Sequence, residues 1–116
     1  MLKLGGLHHD FMNIIENSKS FKFVNKVMHE SGFYKADIWV NGRLFKDKTF
    51  FPAHWSREKV VGIICEAYDN FIKDGAKFVE VPGGKYRIDS YVQNGVDIRM
   101  FMTENGLITS AYPILK

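Results

Sequence analysis

Apolar residues recur at helical spacing in the first quarter of the chain. They form two groups with intervals of three or four residues: Phe11, Ile14 and Ile15, then Phe21, Val24 and Val27. Such intervals place side chains on one face of a helix. Ser31-Gly32 would end this region, since glycine readily leaves the helical conformation. The pattern therefore predicts interrupted helices over residues 5–30.

From residue 34 the apolar residues recur at every second position. Apolar and polar residues alternate from Tyr34 to Val40, which is typical of a half-buried strand. Asn41-Gly42 follows and favours a two-residue hairpin turn, because both residues accept positive φ. A partner strand is predicted from Arg43 to Phe51, where Pro52 stops it.

One strong helix is predicted next. Ser56 is a good N-cap and Glu58 lies in the first turn. Asp74-Gly75 ends the helix. Its apolar stripe at helical spacing consists of Val60, Ile64, Ala67, Tyr68 and Phe71.

Turn signals divide the remainder into short strands. The turns are Pro82-Gly83-Gly84, Asn94-Gly95 and Glu104-Asn105-Gly106. The last strand is predicted from Leu107 to Leu115. The order predicts an α+β fold: N-terminal helices, a hairpin, a central helix and a mostly antiparallel β-sheet meander. We expect residues 1–116 to form a single domain.

Composition supports a packed domain and leaves the partner open. The chain has 116 residues, of which 46% are hydrophobic and 15% aromatic, which argues against disorder. The net charge of +3 is compatible with a nucleic-acid partner without requiring one. Cys65 is the single cysteine, so we expect a buried free thiol and no disulfide. No zinc-type spacing, leader or membrane span is evident, and we expect no metal, no cofactor and no membrane partner.

The segment Leu4-Gly5-Gly6-Leu7-His8-His9 is the first candidate for chemistry. Paired glycines allow close approach to a backbone whose amides can bind an anion. His8 and His9 can exchange protons near neutral pH. A flexible terminus with surface histidines is the alternative.

Two further segments combine candidate chemistry with a plain structural alternative. Lys46 and Lys48 alternate on a predicted strand, so they would share a face and steady a phosphate, or simply protect an exposed edge. Ser110 and Tyr112, beside Thr109, would share a face of the last strand and contact a nucleotide, or pack in the sheet.

Four motifs together resemble the EndoU family of uridylate-preferring endoribonucleases, which includes bacterial toxin domains and the nidoviral enzyme. Leu4–His8 resembles the family's glycine-histidine motif. Lys48–Ser56 resembles its motif of a lysine, a phenylalanine-proline pair and a tryptophan-serine pair. Asn94–Arg99 resembles the family's penultimate hairpin, and Gly106–Pro113 resembles its closing strand.

This resemblance implies a barnase-like ribonuclease type of fold and metal-independent transesterification of RNA to a 2′,3′-cyclic phosphate. It implies that His8 is the general base and that Lys48 stabilises charge on the phosphorane. Tyr112 would orient ribose and base, and Ser110, next to Thr109, would bond the uracil edge. Gly5 and Gly6 would offer amides to the phosphate.

The family's other catalytic histidine lies upstream of this motif, where the chain has only Met1, Leu2 and Lys3. His9 or His54 would have to supply the second imidazole, or a longer parent protein would hold it. The resemblance implies a toxin acting on RNA in the cytoplasm, delivered within a larger protein. The alternatives are an RNA-binding relative without turnover, and an interaction domain whose exposed Trp39 binds a partner such as an immunity protein. Oligomeric state is left open.

Overall fold

The computed structural model describes residues 8–92 and 95–115, which form an α+β arrangement of one α-helix and two antiparallel sheets. The first sheet has the order β1-β2-β3 and the second the order β4-β5-β6-β7. The elements are β1 (Phe21–Met28), β2 (Tyr34–Val40), β3 (Arg43–Phe50), α1 (Arg57–Lys73), β4 (Val79–Val81), β5 (Lys85–Tyr91), β6 (Asp97–Thr103) and β7 (Ile108–Ile114).

The prediction of N-terminal helices is wrong within the described residues. Residues 21–28 form β1, which pairs antiparallel with β2 and places Phe21 and Phe23 beside the core. Before it, the helical part is a single 3-10 turn, Phe11–Asn13. The spacing misled because β1 contains a bulge between Val24 and Val27, with Asn25 at φ 54°. An extra residue changes the period of a strand locally, so its apolar positions mimic a helix.

The predicted hairpin and central helix are confirmed. Val40 pairs with Arg43 across Asn41-Gly42, whose φ values of 51° and 77° suit a tight turn. Ser56 caps α1, since its Oγ accepts a 3.1 Å bond from the Lys59 amide.

The prediction that Lys46 and Lys48 share a strand face is wrong, because β3 contains a second bulge. Ala36 pairs with Lys48 but Ile38 pairs with Phe45, so one extra residue is inserted in β3 and Asp47 takes φ 55°. Lys48 therefore shares its face with Phe45 instead of Lys46, because the bulge reverses the alternation.

The carboxylate of Asp37 on β2 joins the two bulges. Its Oδ2 accepts a 2.8 Å bond from Asn25 Nδ2, and its Oδ1 accepts a 2.9 Å bond from the Asp47 amide. These bonds, first that from Asn25, lower the pKa of Asp37. One charged side chain thus supports the distorted backbone on both sides of the central strand.

The helix packs against one face of the second sheet and closes the main core. Val60, Ala67 and Phe71 of α1 are buried there with Ile88 and Met100 of the sheet. A smaller cluster fills one face of the first sheet, formed by Tyr34, Ala36, Ile38 and Phe50. Burial of these apolar surfaces is the main favourable term in the fold.

A register shift in β7 decides which of its side chains leave the core. Met102 pairs with Ile108, but Phe101 pairs with Ser110, so Thr109 is the inserted residue. Ser110 and Tyr112 thereby share the sheet face of their partners Phe101 and Arg99, while Ala111 and Pro113 lie opposite Met100 and Ile98 on the core face. Without the insertion the same alternation would turn Ser110 and Tyr112 toward the helix.

The thiol of Cys65 is exposed, contrary to the expected burial. It falls on the outward side of α1, between Ile64 and the polar residues that face solvent. In the part of the chain that the structure describes, no helix is long and apolar enough to cross a membrane.

Replacing Asp37 with alanine should lower Tm at neutral pH, because both bulges lose a charged acceptor. Since the fold lowers the pKa of Asp37, its stabilisation is present above the ordinary value of 3.8 and disappears as the pH falls through the folded value. Thermal unfolding of wild type and Asp37→Ala from pH 7 to pH 2 should therefore give Tm values that converge below about pH 4.

Asp69→Ala is the matched control, because Asp69 is an exposed carboxylate on α1. A constant Tm difference across this pH range, or an equal loss in Asp69→Ala, would contradict the role given to Asp37.

Candidate functional site

His8 is held beside the end of β3. Its carbonyl accepts a 2.8 Å bond from the Phe51 amide, and its side chain is buried, with 6% exposure. Nδ1 lies 2.7 Å from the Thr49 carbonyl oxygen. A carbonyl can only accept, so Nδ1 is the protonated nitrogen and the neutral ring carries its lone pair on Nε2.

Thr49 also links the two sheets. Its hydroxyl donates a 2.6 Å bond to the carbonyl of Pro113 on β7. The residue that orients His8 with its own carbonyl therefore holds the closing strand with its side chain. β3 and β7 contact each other here, and this bond joins them.

The ring of His8 lies against Tyr112. The two ring centroids are 4.6 Å apart with an interplanar angle of 31°. On its other side His8 approaches Phe50 at 6.2 Å, and Phe50 stacks on Tyr34 at 4.8 Å. Aromatic packing therefore fixes the plane of the imidazole as well as its depth.

A basic group lies next to Tyr112. Arg99 of β6 is its partner in the register, and Asp89 binds Arg99 at 2.8 Å and 3.1 Å. The bond to Asp89, and secondarily a hydrogen bond with Tyr112, raise the pKa of Arg99 above its ordinary value. Arg99 thus brings a permanent positive charge close to the phenol of Tyr112.

A cleft of about 230 Å³ opens between β7, α1 and the segment that carries the histidines. His8, His9, Thr109 and Ser110 all line it, so four of the predicted site residues share one opening. Val60 and Ile64 belong to its apolar wall. Gly5 and Gly6 lie outside the described residues.

His9 and His54, the two alternatives for a second imidazole, lie in different places. His9 lines the cleft, and its Nε2 donates a 2.9 Å bond to the Trp55 carbonyl. Burial, more than any other cause, lowers the pKa of His9. His54 lines a separate cavity with Tyr34 and is not among the residues around the cleft.

The family model for bacterial EndoU nuclease matches residues 3–115. The chain belongs to the bacterial EndoU nuclease family. A curated protein named Toxin from Bacillus cereus is 32% identical over 108 residues, covering 86% of this chain and 18% of that protein. The chain thus spans less than a fifth of the length of this relative. A comparison with solved structures found no match.

Family membership supports a nuclease function for this EndoU chain. Among the described residues no group of three or more His, Cys, Asp or Glu side chains is arranged to hold a metal ion.

Lys48 of the EndoU chain is not among the residues that line the cleft. It precedes Thr49 on β3 and faces the same side as Phe50. Partial burial lowers its pKa, so the ammonium gives up its proton more easily than an exposed lysine.

Sequence reasoning missed two residues that build this site. Asp10 is buried with 1% exposure, and its carboxylate accepts 2.7 Å bonds from the amides of Ile15 and Glu16, fixing the turn that follows the histidines. The sequence signal is the aspartate itself, since Asp side chains often bond the backbone amides of the turn that follows them. Thr49 left no such signal, because its role depends on a carbonyl and on a strand that is distant in sequence.

Thr49→Val should destabilise the EndoU chain by about 1 kcal/mol, because the Pro113 carbonyl loses its donor while side-chain shape is retained. For a domain of this size this corresponds to a fall in Tm of about 4 °C. Thermal unfolding at pH 7 measures the change.

Thr49→Ser retains the hydroxyl and is the matched variant, so its Tm should stay closer to wild type than that of Thr49→Val. If both variants unfold at the same temperature, the bond between the sheets does not contribute to stability as we infer.

Proposed function

We propose that the chain is an endoribonuclease domain that cleaves RNA at uridylates and leaves a 2′,3′-cyclic phosphate, acting as the effector part of a larger toxin. The observation that supports this function best is that His8 and His9 line one cleft together with Ser110, while Tyr112 stacks on His8. Two imidazoles that line one opening suit paired proton transfers.

His8 acts as the general base in this proposal. With Nδ1–H held by the Thr49 carbonyl, Nε2 is the nitrogen that accepts a proton. It takes the proton of the ribose 2′-hydroxyl, and the 2′-oxygen attacks the adjacent phosphorus. DNA lacks this nucleophile and is not a substrate.

His9 acts as the general acid. In its charged form the His9 ring, which the Trp55 carbonyl holds through Nε2, donates the proton to the departing 5′-oxygen. The bond from phosphorus to this oxygen breaks as the new bond to the 2′-oxygen closes the cyclic phosphate. The lowered pKa of His9 makes its charged form a stronger acid than an exposed imidazolium.

The remaining groups bind the negatively charged phosphate and the uracil base. Lys48, which precedes the Thr49 whose carbonyl binds His8, stabilises the extra negative charge on the phosphorane. Tyr112 orients the ribose and base, and Ser110, next to the inserted Thr109, hydrogen-bonds the uracil edge. Arg99 adds positive potential next to Tyr112.

His8→Ala should reduce cleavage of an oligoribonucleotide with a single uridine by about a hundredfold to ten thousandfold, because the general base is lost. The measurement is kcat/KM in EDTA, with mass spectrometry of the fragment that ends in cyclic phosphate. His29→Ala is the matched control, since His29 follows β1 and does not line the cleft.

Persistent cleavage in His8→Ala would refute this site, and loss of wild-type cleavage in EDTA would refute the metal-independent mechanism. Wild-type binding to RNA without cleavage would support a non-catalytic RNA-binding relative instead.

His9→Gln separates the general acid from the rest of the site. Cleavage of RNA should fall about a hundredfold, whereas a uridine 3′-phosphate ester of 4-nitrophenol should lose much less, because its leaving group needs no proton. Rates on both substrates give the comparison. An equal loss on both would show that His9 serves binding or structure and does not donate the proton.

A further inference from the structure

A second cavity of about 270 Å³ lies at the first sheet, and it shares no lining residue with the cleft. We call it the Tyr34 cavity. The lining residues that matter for its chemistry are Met12, Asn13, Lys26, Met28, Tyr34 and His54.

Two residues that line the Tyr34 cavity each have a buried side-chain oxygen without a hydrogen-bond partner among the described residues. Tyr34 is only 1% exposed and its hydroxyl is unpaired, and so is Oδ1 of Asn13. Buried polar groups are nearly always satisfied, and leaving one unpaired is unfavourable. A ligand with a donor beside an acceptor would satisfy both atoms.

The other walls suit a flat ring. Met12 and Met28 are each 60% exposed, which is unusual for large apolar side chains, and methionine packs well against aromatic faces. The cavity is smaller than a typical site for a drug-sized ligand. Lys26 lies at the cavity with its ammonium 4.6 Å from the Tyr34 ring centroid and 2.8 Å from Glu16.

The Tyr34 cavity and the cleft are built on the same two chain segments. The Phe51 amide bonds the His8 carbonyl, and the Met12 amide bonds the Ala53 carbonyl, both at 2.8 Å. The Cα atoms of Phe51 and Ala53 are therefore at most about 7 Å apart along the chain. The cleft and the Tyr34 cavity are thus lined by residues that are close in sequence on both segments, and a polymer is the kind of ligand that can occupy two neighbouring sites.

We propose that the Tyr34 cavity is a second base-binding subsite, which takes a nucleobase of the same RNA strand at a position flanking the cleaved uridylate. This inference rests on the proposed function. A base offers an N–H to Asn13 and a ring nitrogen or carbonyl to the Tyr34 hydroxyl, with its faces against the methionines. Lys26 lies where it can meet the phosphate attached to that nucleotide.

The test compares substrates that can and cannot reach the Tyr34 cavity. We would measure kcat/KM for the dinucleotide uridylyl-adenosine and for an oligoribonucleotide with one uridine and three adenosines on each side. In the longer substrate each flanking base is removed in turn with an abasic nucleotide. At one position the loss in wild type should be about tenfold.

Tyr34→Phe keeps the ring stacked on Phe50 and removes only the hydroxyl. It should lower the ratio of kcat/KM between the long substrate and the dinucleotide about fivefold, and weaken the effect of the abasic position. Tyr91→Phe is the matched control, because Tyr91 lies on β5 with its own partner, Asp74, and should leave this ratio unchanged.

Wild-type cleavage that is insensitive to every flanking base would overturn the subsite while leaving the proposed nuclease intact. So would an abasic effect of equal size in wild type and Tyr34→Phe. If wild type neither cleaves the uridine oligonucleotide nor binds its uncleavable 2′-deoxyuridine analogue, both the subsite and the proposed function fail.

Discussion

Everything at the candidate site depends on the contact between two edge strands that belong to different sheets. Thr49 on β3 makes this contact specific, because its hydroxyl binds the Pro113 carbonyl while its own carbonyl binds Nδ1 of His8. The same residue therefore joins the two sheets and orients the imidazole. The Tyr112 ring, 4.6 Å from that of His8, completes the arrangement from the β7 side. A site built this way exists only when both sheets are folded and correctly apposed.

Irregular positions in the strands determine the direction of several other side chains at the site. The bulges at Asn25 and Asp47 lie on either side of Asp37, which binds both of them. The insertion at Thr109 turns Ser110 and Tyr112 away from the helix, on the face that meets His8. Bulges often occur next to functional sites because they re-aim a side chain without interrupting the sheet. In this domain they redirect Lys48 as well as the closing strand, so both halves of the proposed ribonuclease site depend on them.

The chemistry follows from how each imidazole is held. Thr49 binds Nδ1 of His8 and Trp55 binds Nε2 of His9, so the two neighbouring rings use opposite nitrogens for support. Adjacent histidines can therefore serve one cleft, although neighbouring side chains usually diverge. Fixed tautomers suit one ring to accept a proton and the other to donate one. The Tyr34 cavity lies next to this arrangement, since Met12 and Ala53, which line it, follow His8 and Phe51 on the same two segments.

Turns, helix caps and the alternation of a strand depend on residues that are close in sequence. The sequence by itself therefore determined the Asn41-Gly42 hairpin, the Ser56-capped helix and the strand order of the final meander. The resemblance brought together His8, His9, Lys48, Ser110 and Tyr112, but it could not say which imidazole accompanies His8 or which side Ser110 faces. Tertiary structure decided those points. The bulge in β1 shifts the alternation by one residue, so the helical spacing over residues 21–28 belongs to a strand. The bulge in β3 does the same, so Lys46 does not share a face with Lys48. Register is set by pairing with a distant strand, and no pattern within one segment encodes it.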